Sequence, residues 1–170
     1  MEQERLVTAD ELEQMPGAKD FELVRGKLVP GIPADDRHGQ AAVILAAELR
    51  AHVRKHHLGR VSDETGYILF RNPDTVRGPD VSFVSSGRGF AETHRLAPGA
   101  PDLAIEIISP SNSRESIAGK VNDYLTAGTR LVWVVDTTAK TVAVHRHAGE
   151  AEVLDVHNHL DGEEVVPGFS

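Results

Sequence analysis

The chain has 170 residues, of which 26% are charged and 40% hydrophobic, a composition that is ordinary for a globular domain and argues against disorder. It has no cysteine, so it forms no disulfide and offers no thiolate to a metal ion. Its net charge of -8 disfavours non-specific attraction to nucleic acid, which depends on lysine and arginine meeting phosphates. A nucleic-acid function must therefore rest on a local basic surface or on metal ions.

No apolar run approaches the roughly 20 residues of a membrane-spanning helix. Residues 1–5 lack the pattern of a secretory signal peptide. We therefore expect a cytoplasmic protein with no membrane partner. No repeat, linker or low-complexity tract divides the sequence, so residues 1–170 are predicted to form a single domain with one full core.

The first part of the chain predicts a short helix, a hairpin and a long helix. Residues 8–11 have the form of a capping box that begins the short helix. Phe21–Val24 and Lys27–Pro30 flank a two-residue turn and are predicted to pair as a β-hairpin, with Glu22 in its first strand. Residues 39–57 are predicted to be the longest helix, with an apolar stripe of Ala42, Leu45, Ala46, Leu49 and Val53.

Strand patterns dominate most of the remaining sequence. A turn over residues 72–78 separates the first two of these strands, and a loop over residues 85–100 that contains Gly, Ser and Arg follows the second. Such loops often border functional sites. The strands outside the unit described next are predicted at residues 61–71, 79–84, 141–147 and 152–157, with a short one near residues 165–166.

Residues 102–136 have the pattern of a strand, a helix and a second strand. Residues 102–109 (DLAIEIIS) form an apolar run with Glu106 in its middle, and residues 131–135 form a second apolar run. A turn over residues 109–113 and a helix that ends at Gly128 lie between them. Two strands joined in this way within about 35 residues should be parallel, with a right-handed crossover.

Glu106 and Lys120 are the unexpected residues of this unit. A lone glutamate in a buried strand is costly unless another group pairs with it. Lys120 lies at helical spacing with apolar residues, so it is predicted to face the sheet. A buried acid and an inward-facing base on consecutive elements indicate a site. The apolar residues that share the face of Lys120 are Ile117, Val121 and Tyr124.

Asp80 is the best candidate for a second acid at that site. If its strand neighbours the strand of Glu106, facing side chains come within about 5 Å, and two carboxylates that close repel unless a cation lies between them. Their hard oxygen ligands suit Mg²⁺ or Mn²⁺. Asp102 cannot share the same ion with Glu106, because four residues of strand span roughly 13 Å. The alternatives are that Asp80 merely starts a strand and that Lys120 merely neutralises Glu106.

With these residues the sequence resembles the Uma-two family of restriction endonucleases, within the PD-(D/E)XK nuclease superfamily. The resemblance runs from about residue 8 to residue 169, nearly the whole chain. The run over residues 106–112 (EIISPSN) is specific, because the later lysine, tyrosine and glycine stand in register with it. The resembling segments are residues 22–29, His38 before the long helix, and residues 78–84, 101–112, 119–128 and 132–136.

This resemblance implies an α/β fold with a mixed central sheet flanked by helices, as in restriction endonucleases, and a Mg²⁺-dependent phosphodiester hydrolase site. By resemblance, Asp80 and Glu106 would be the metal carboxylates, and the backbone carbonyl of Ile107 would be a further ligand. One departure concerns the lysine that the superfamily has two places after the glutamate, because Ile108 stands there. The family resemblance puts that lysine at Lys120.

Three further residues are candidates for the same site. By resemblance, Glu22 would be an additional acid near the metal, although a hairpin glutamate is often only solvated. His38 would border the substrate, although a histidine before a helix is often a cap. Arg77 is predicted to bind substrate as part of a basic rim on the loops that flank Asp80, together with Arg71, Arg88 and Arg95.

Two other groups of residues suggest different sites. His145 and His147 stand at strand spacing, as do His157 and His159, and two such pairs on adjacent strands could bind a transition metal. The alternative is the exposed polar edge of a hairpin. The long helix ends in a basic cluster that could meet phosphates or simply complement the helix macrodipole; it comprises Arg50, His52, Arg54, Lys55, His56, His57 and Arg60.

Three functions are therefore compared. The first is an endonuclease that hydrolyses phosphodiester bonds of nucleic acid, with DNA favoured, by water activated at a metal that Asp80 and Glu106 hold and with Lys120 assisting. The second is a catalytically inactive protein of the same fold that acts as a binding or assembly module. The third is an imidazole-metal protein built on the tail histidines. A homodimer would allow two such nuclease sites to cut two strands.

Overall fold

The computed structural model describes residues 5–31, 33–88, 95–109 and 112–170. The loop predicted at residues 85–100 and the turn predicted at residues 109–113 lie partly outside the described residues, as does part of the specific run over residues 106–112. Within the described ranges, no helix has the length and apolarity needed to cross a membrane.

Helices α1 (Ala9–Gln14), α2 (Asp36–Lys55) and α3 (Arg114–Thr126) each begin at a polar side chain that caps backbone amides. At α1, the Thr8 hydroxyl accepts from the Glu11 amide while the Glu11 carboxylate accepts from the Thr8 amide, so the predicted capping box is confirmed. Helix α2 begins three residues before its predicted start, because Asp35 accepts from the amide of His38.

Eleven strands are present in the described residues, and they form two sheets. Short 3-10 helices cover Ala18–Asp20 and Ser86–Arg88. The strands are β1 (Phe21–Val24), β2 (Lys27–Pro30), β3 (Gly59–Asp63), β4 (Tyr67–Phe70), β5 (Thr75–Arg77), β6 (Val81–Ser85), β7 (Ala97–Pro98), β8 (Leu103–Ile108), β9 (Leu131–Asp136), β10 (Thr141–Arg146) and β11 (Glu152–Leu154).

The larger sheet is mixed and has the strand order β11-β10-β9-β8-β6-β3. Its β8 and β9 run parallel, with Leu103 opposite Leu131, and α3 connects them, so the predicted strand-helix-strand unit is confirmed. The other neighbours in this sheet are antiparallel. The predicted strand near residues 165–166 is wrong, because Val165 and Val166 donate to the carbonyl of Gly162 in a turn and bury their side chains in the core.

The smaller sheet has the order β2-β1-β5-β4-β7 and includes the predicted hairpin. The single strand predicted over residues 61–71 is wrong, because the chain there forms β3 and β4, which belong to different sheets. Glu64 lies between them with a φ of 45°, a left-handed conformation that a continuous strand does not accommodate. The turn predicted over residues 72–78 also contains β5. The fold is therefore a mixed α/β arrangement of two mixed sheets flanked by helices.

The larger sheet is covered on both faces, and this arrangement decides where Glu106 points. Helix α2 buries Leu49 and Val53 against one face, in a core that includes Ile105 and Ile107. Helix α3 lies against the other face, where Val121 and Tyr124 pack in a separate core with residues of β9. Because side chains alternate along a strand, Glu106 points toward α3.

The same substitution at two glycines is expected to have opposite effects. At Gly59, which has a φ of 156°, a Cβ would overlap the carbonyl oxygen of Val84 on the adjacent strand. Gly59→Ala should therefore lower the free energy of unfolding by about 1–3 kcal/mol. At Gly39 in α2 a Cβ would meet nothing within 4 Å, so Gly39→Ala should raise it by about 0.5–1 kcal/mol. Urea titrations of both variants measure this, and equal effects at the two positions would contradict the packing described.

Candidate active site

Two carboxylates face each other across neighbouring strands of the larger sheet. Strands β6 and β8 are antiparallel, with Val81 opposite Ile105. The same register brings Asp80, which immediately precedes β6, across from Glu106. Asp80 Oδ2 also accepts a hydrogen bond of 2.7 Å from the backbone amide of Ile107. The candidate site depends on these two strands being neighbours, and they are. The backbone beside Glu106 holds Asp80 in position.

Glu106 is almost fully buried, with 3% of its surface exposed, and both of its oxygens have partners. Lys120 Nζ lies 3.0 Å from Oε2, and the Tyr124 hydroxyl donates to Oε1 over 2.7 Å. Both partners come from α3, at helical spacing i and i+4. Lys120 therefore faces the sheet, as the apolar periodicity of the helix predicts.

The smaller sheet contributes Glu22 to the charged cluster that Asp80, Glu106 and Lys120 begin. Glu22 Oε1 lies 3.1 Å from Lys120 Nζ and accepts from the amide of Gly78, and its Oε2 lies 2.8 Å from Arg77 Nη1. This glutamate is a hairpin residue, but its side chain is only 17% exposed. The ammonium of Lys120 thus bridges an acid from each sheet.

Arg77 lies inside this cluster rather than on an exposed rim. Its side chain is 8% exposed. Its guanidinium bonds Glu22 Oε2 over 2.8 Å on one side, and on the other it makes two bonds to Asp123 Oδ2, of 2.9 Å and 2.6 Å. The predicted position of Arg77 at a basic rim is therefore corrected, because two carboxylates hold it in the interior. Its predicted contact with substrate stays a prediction.

The other arginines of the predicted rim also contact acids. Arg71 bonds Asp74 and Asp10, Arg88 bonds Asp102, and Arg95 bonds Glu13. These carboxylates offset the positive charge that the arginines bring to the loops near Asp80.

His38 approaches Asp80 from the first turn of α2. Its Nε2 lies 3.1 Å from Asp80 Oδ1, while its Nδ1 is buried and has no hydrogen-bond partner among the described residues. The hydrogen bond to Asp80 raises the pKa of His38, against the opposing effect of burial. His38 therefore lies beside the candidate metal carboxylate, and the border with the substrate that the resemblance implies for it stays a prediction.

The charges in this cluster shift the protonation of Glu106 and Lys120. Burial raises the pKa of Glu106 to about 7; the attraction of Lys120 opposes this rise, while the charges of Asp80 and Glu22 add to it. Burial disfavours the charged form of Lys120, but the attractions of Glu106 and Glu22 outweigh it and raise the pKa of this lysine above its ordinary value. Lys120 is therefore a permanent cation at neutral pH.

The tail histidines do not come together. His145 lies in β10 opposite Val132, and the register of β10 with β11 ends at Val144, which pairs with Glu152. His157 follows the far end of β11, so the two histidine pairs lie at opposite ends of this hairpin. Across the ranges that the structure describes, no group of three or more His, Cys, Asp or Glu side chains is arranged to hold a metal ion. The Asp80–Glu106 arrangement brings together only two carboxylates, which is a smaller set.

Two residues of the cluster are absent from the sequence-based site. Tyr124 is predicted there only as an apolar contact of the helix, although its position four residues after Lys120 is a signal that it faces Glu106. Asp123 carries no such signal, because its partner Arg77 is 46 residues away in the chain. A long-range ion pair of this kind leaves no local pattern in a single sequence.

Comparisons with known proteins agree on one class of protein. The profile of the Uma2 family, described as "Putative restriction endonuclease", matches residues 9–170. The chain is similar to a solved structure titled "putative nuclease belonging to DUF820" from Anabaena variabilis ATCC 29413, with a TM-score of 0.76 and 25% sequence identity. The match covers 88% of this chain and 84% of the other. No curated protein matches the chain.

The raised pKa of Glu106 predicts how stability depends on pH without divalent ions. The folded protein holds a proton that the unfolded chain releases near 4.5, so stability should fall as the pH rises from about 4.5 to about 7. A change in pKa of this size corresponds to at most about 3 kcal/mol. Glu106→Gln has no titrating group at this position. As the pH rises from about 4 to about 8, its free energy of unfolding should therefore increase by up to that amount relative to the parent.

Urea titrations in the presence of a chelator measure this relative gain. Glu48→Gln is the matched control, because Glu48 is exposed on α2. A difference between Glu106→Gln and the parent that stays constant with pH would contradict the assignment of a raised pKa.

Proposed function

The chain belongs to the Uma2 family, and from this premise we propose that it is a metal-dependent nuclease that hydrolyses phosphodiester bonds, with DNA as the favoured substrate. The observation that carries the proposal is the meeting of three side chains from separate elements: Asp80 beside β6, Glu106 in β8 and Lys120 in α3. An acid pair with an inward-facing lysine is the set of groups that water activation beside a phosphodiester requires.

The residues present fit a divalent ion such as Mg²⁺ or Mn²⁺. The ligands would be the carboxylates of Asp80 and Glu106 and the backbone carbonyl of Ile107, all of which are hard oxygen donors. The charge balance points the same way. Four carboxylates meet only two permanent cations, Lys120 and Arg77, so the ionised cluster has two excess negative charges. The four carboxylates are those of Glu22, Asp80, Glu106 and Asp123.

A bound divalent ion would lower the pKa of a coordinated water and stabilise negative charge on a phosphoryl oxygen. The side chains around it have separate tasks in this proposal. Lys120 orients the attacking water or neutralises charge on the phosphate, because its ammonium stays protonated. Tyr124 fixes one oxygen of Glu106 by its hydrogen bond, and Glu22 fixes the position of the Lys120 ammonium.

Arg77 and His38 have supporting roles in this proposal. Arg77 is held by Glu22 and Asp123, so we assign it the task of positioning Glu22 rather than a first contact with phosphate. His38 lies on the α2 side of Asp80, where its imidazole would border the substrate. A homodimer of such sites would cut both strands of a duplex.

The second candidate is a catalytically inactive protein of the same fold that acts as a binding or assembly module. The observation that favours it is the pairing of the rim arginines with carboxylates in a chain of net charge -8, because a duplex binder usually presents unopposed basic groups. Metal-dependent cleavage separates the two candidates directly.

Calorimetric titration should find about one or two Mn²⁺ ions bound by the parent protein. In Asp80→Ala/Glu106→Ala, binding and the cleavage of duplex DNA should both be lost, while the circular dichroism spectrum is kept. His145→Ala/His147→Ala is the control and should keep both activities. Assays with single-stranded DNA and RNA define the substrate class. A doubly substituted variant that cleaves at the parental rate would refute the site, and a parent that binds Mn²⁺ without cleaving nucleic acid would favour the module.

Lys120→Met should separate metal binding from catalysis. Removing the ammonium leaves Glu106 and Glu22 without their shared cation, so the affinity for Mn²⁺ should rise. Cleavage should fall by about 100-fold or more, because the group that assists water is gone. Lys140→Met, at an exposed turn residue, is the matched control. Loss of Mn²⁺ binding in Lys120→Met, or cleavage at the parental rate, would contradict the proposed role.

A further inference from the structure

A cavity of about 280 Å³ lies between the β1–β2 turn, the β4–β5 turn and α3. It adjoins the charged cluster, because Asp123, which holds Arg77, forms part of its wall. Its volume is close to the lower limit of ordinary ligand pockets, about 300 Å³, so it suits one nucleotide rather than a base pair. The cavity is called the flanking pocket here. Its lining includes Arg25, Phe70, Asn72, Asn122, Asp123 and Thr126.

Polar groups of the flanking pocket are open to a ligand, in contrast to those of the charged cluster. Within the residues that the structure describes, four of its side chains make no hydrogen bond or ion pair, those of Arg25, Asn72, Asn122 and Thr126. Arg77 neutralises the carboxylate of Asp123 through two hydrogen bonds. Phe70 adds a half-buried aromatic ring. A cation, amides and an aromatic ring are groups that bind an unpaired nucleotide, because they contact its phosphate, the edge of its base and the face of its base.

Arg25 stands at a position where the backbone favours a different residue. It begins the two-residue β1–β2 turn with a φ of 50°, and Gly26 follows with a φ of 78°. A hairpin turn with two left-handed residues favours Asn-Gly, because asparagine tolerates this conformation better than longer side chains do. The amide of Arg25 donates to Thr75 Oγ over 3.1 Å, which fixes the turn beside the pocket. The arginine therefore costs the hairpin stability while it supplies the pocket with an unpaired cation.

The flanking pocket lies a few nucleotides from the candidate active site. From Lys120 to Thr126, α3 rises by about 9 Å. From Glu22 to Arg25, the chain of β1 advances by about 10 Å. Both elements therefore put the pocket at the same distance from the ammonium of Lys120. Successive nucleotides of a stacked strand are about 3.4 Å apart along its axis, so this distance corresponds to about three nucleotides.

We propose that the flanking pocket binds one unpaired nucleotide of the strand that the enzyme cleaves, about three positions from the scissile phosphate. Arg25 contacts a phosphate, Phe70 stacks on the base, and Asn72 and Asn122 bond the edge of the base. This inference rests on the proposed nuclease function and narrows its substrate to a strand with an unpaired base beside the cut. A base inside a duplex is paired and stacked, and it would have to leave the stack to enter the pocket.

Fluorescence anisotropy of labelled single-stranded DNA, measured with Mn²⁺, tests the pocket. Lys120→Met is the reference protein, because its cleavage should be about 100-fold or more slower than that of the parent. In this reference, Arg25→Asn and Phe70→Leu should each raise the dissociation constant by about 5- to 20-fold, because they remove a phosphate contact and a stacking ring. For a blunt duplex of the same sequence, Phe70→Leu should change the dissociation constant by less than about 2-fold, because paired bases stay in their stack. In the parent protein, the same two changes should raise KM for the single strand and keep kcat.

Urea titrations separate a binding defect from misfolding. Arg25→Asn should raise the urea midpoint of unfolding while it weakens DNA binding, because Asn-Gly suits the turn. Arg50→Asn is the matched control, since Arg50 is exposed on α2, which covers the other face of the larger sheet. It removes the same charge and should keep the affinity for single-stranded DNA. Its urea midpoint should fall slightly, because asparagine is a poorer helix former than arginine.

Several results would overturn the proposal. They are a reference protein that binds no single-stranded DNA, unchanged affinity in Arg25→Asn and Phe70→Leu, an equal loss in Arg50→Asn, and an equal loss of duplex binding in Phe70→Leu. A parent that cleaves DNA while the pocket variants bind and cleave as before would refute the flanking pocket alone. A parent that cleaves no nucleic acid while the pocket variants lose affinity would refute the nuclease alone.

Discussion

The contact between Glu106 and Lys120 is the constraint on which the rest of the structure depends. A carboxylate in the middle of a central strand cannot be left without partners. Its partners come from α3, which must therefore present Lys120 and Tyr124 to the sheet over the same turn. Because Lys120 also reaches Glu22, the same ammonium ties the smaller sheet to the larger one. The ammonium of Lys120 thus constrains the rotation of α3 and links the two sheets.

Stability alone does not account for this contact. The cost of removing two charges from water commonly exceeds the attraction that a buried pair returns, and apolar residues of similar size often replace such a pair without loss. The position of Glu106 is flanked by Ile105 and Ile107, so an apolar residue would suit the strand. Burial and two further carboxylates raise the pKa of this acid, and an acid in that setting is consistent with the divalent ion that we propose for this site.

The local patterns of the sequence predict the parts of the site that lie within one supersecondary unit. The apolar runs around Glu106 and the helical spacing of Lys120 predict a parallel pair and an inward lysine, and both are present. Asp80 is a candidate on the condition that its strand neighbours the strand of Glu106, and the two strands are adjacent in the sheet. The strand over residues 61–71 fails because apolar alternation continues through a segment in which Glu64 reverses the backbone. The rim position predicted for Arg77 is wrong, because its partners Glu22 and Asp123 are distant in the chain and leave no local pattern that would predict its burial.

Helix α2 meets two demands of the fold, and its outer face serves neither of them. Its inner face completes the core through Leu49 and Val53, and its first turn brings His38 to Asp80. The outer face has no contact to make within the described chain, yet it carries Val43 and Ile44. β-Branched residues are poorer helix formers than Ala, Glu or Lys, and exposed apolar surface promotes association. A helix selected only for its inner face and its cap would gain stability by losing both residues. The packing of the fold therefore does not explain why α2 keeps Val43 and Ile44 on its exposed side.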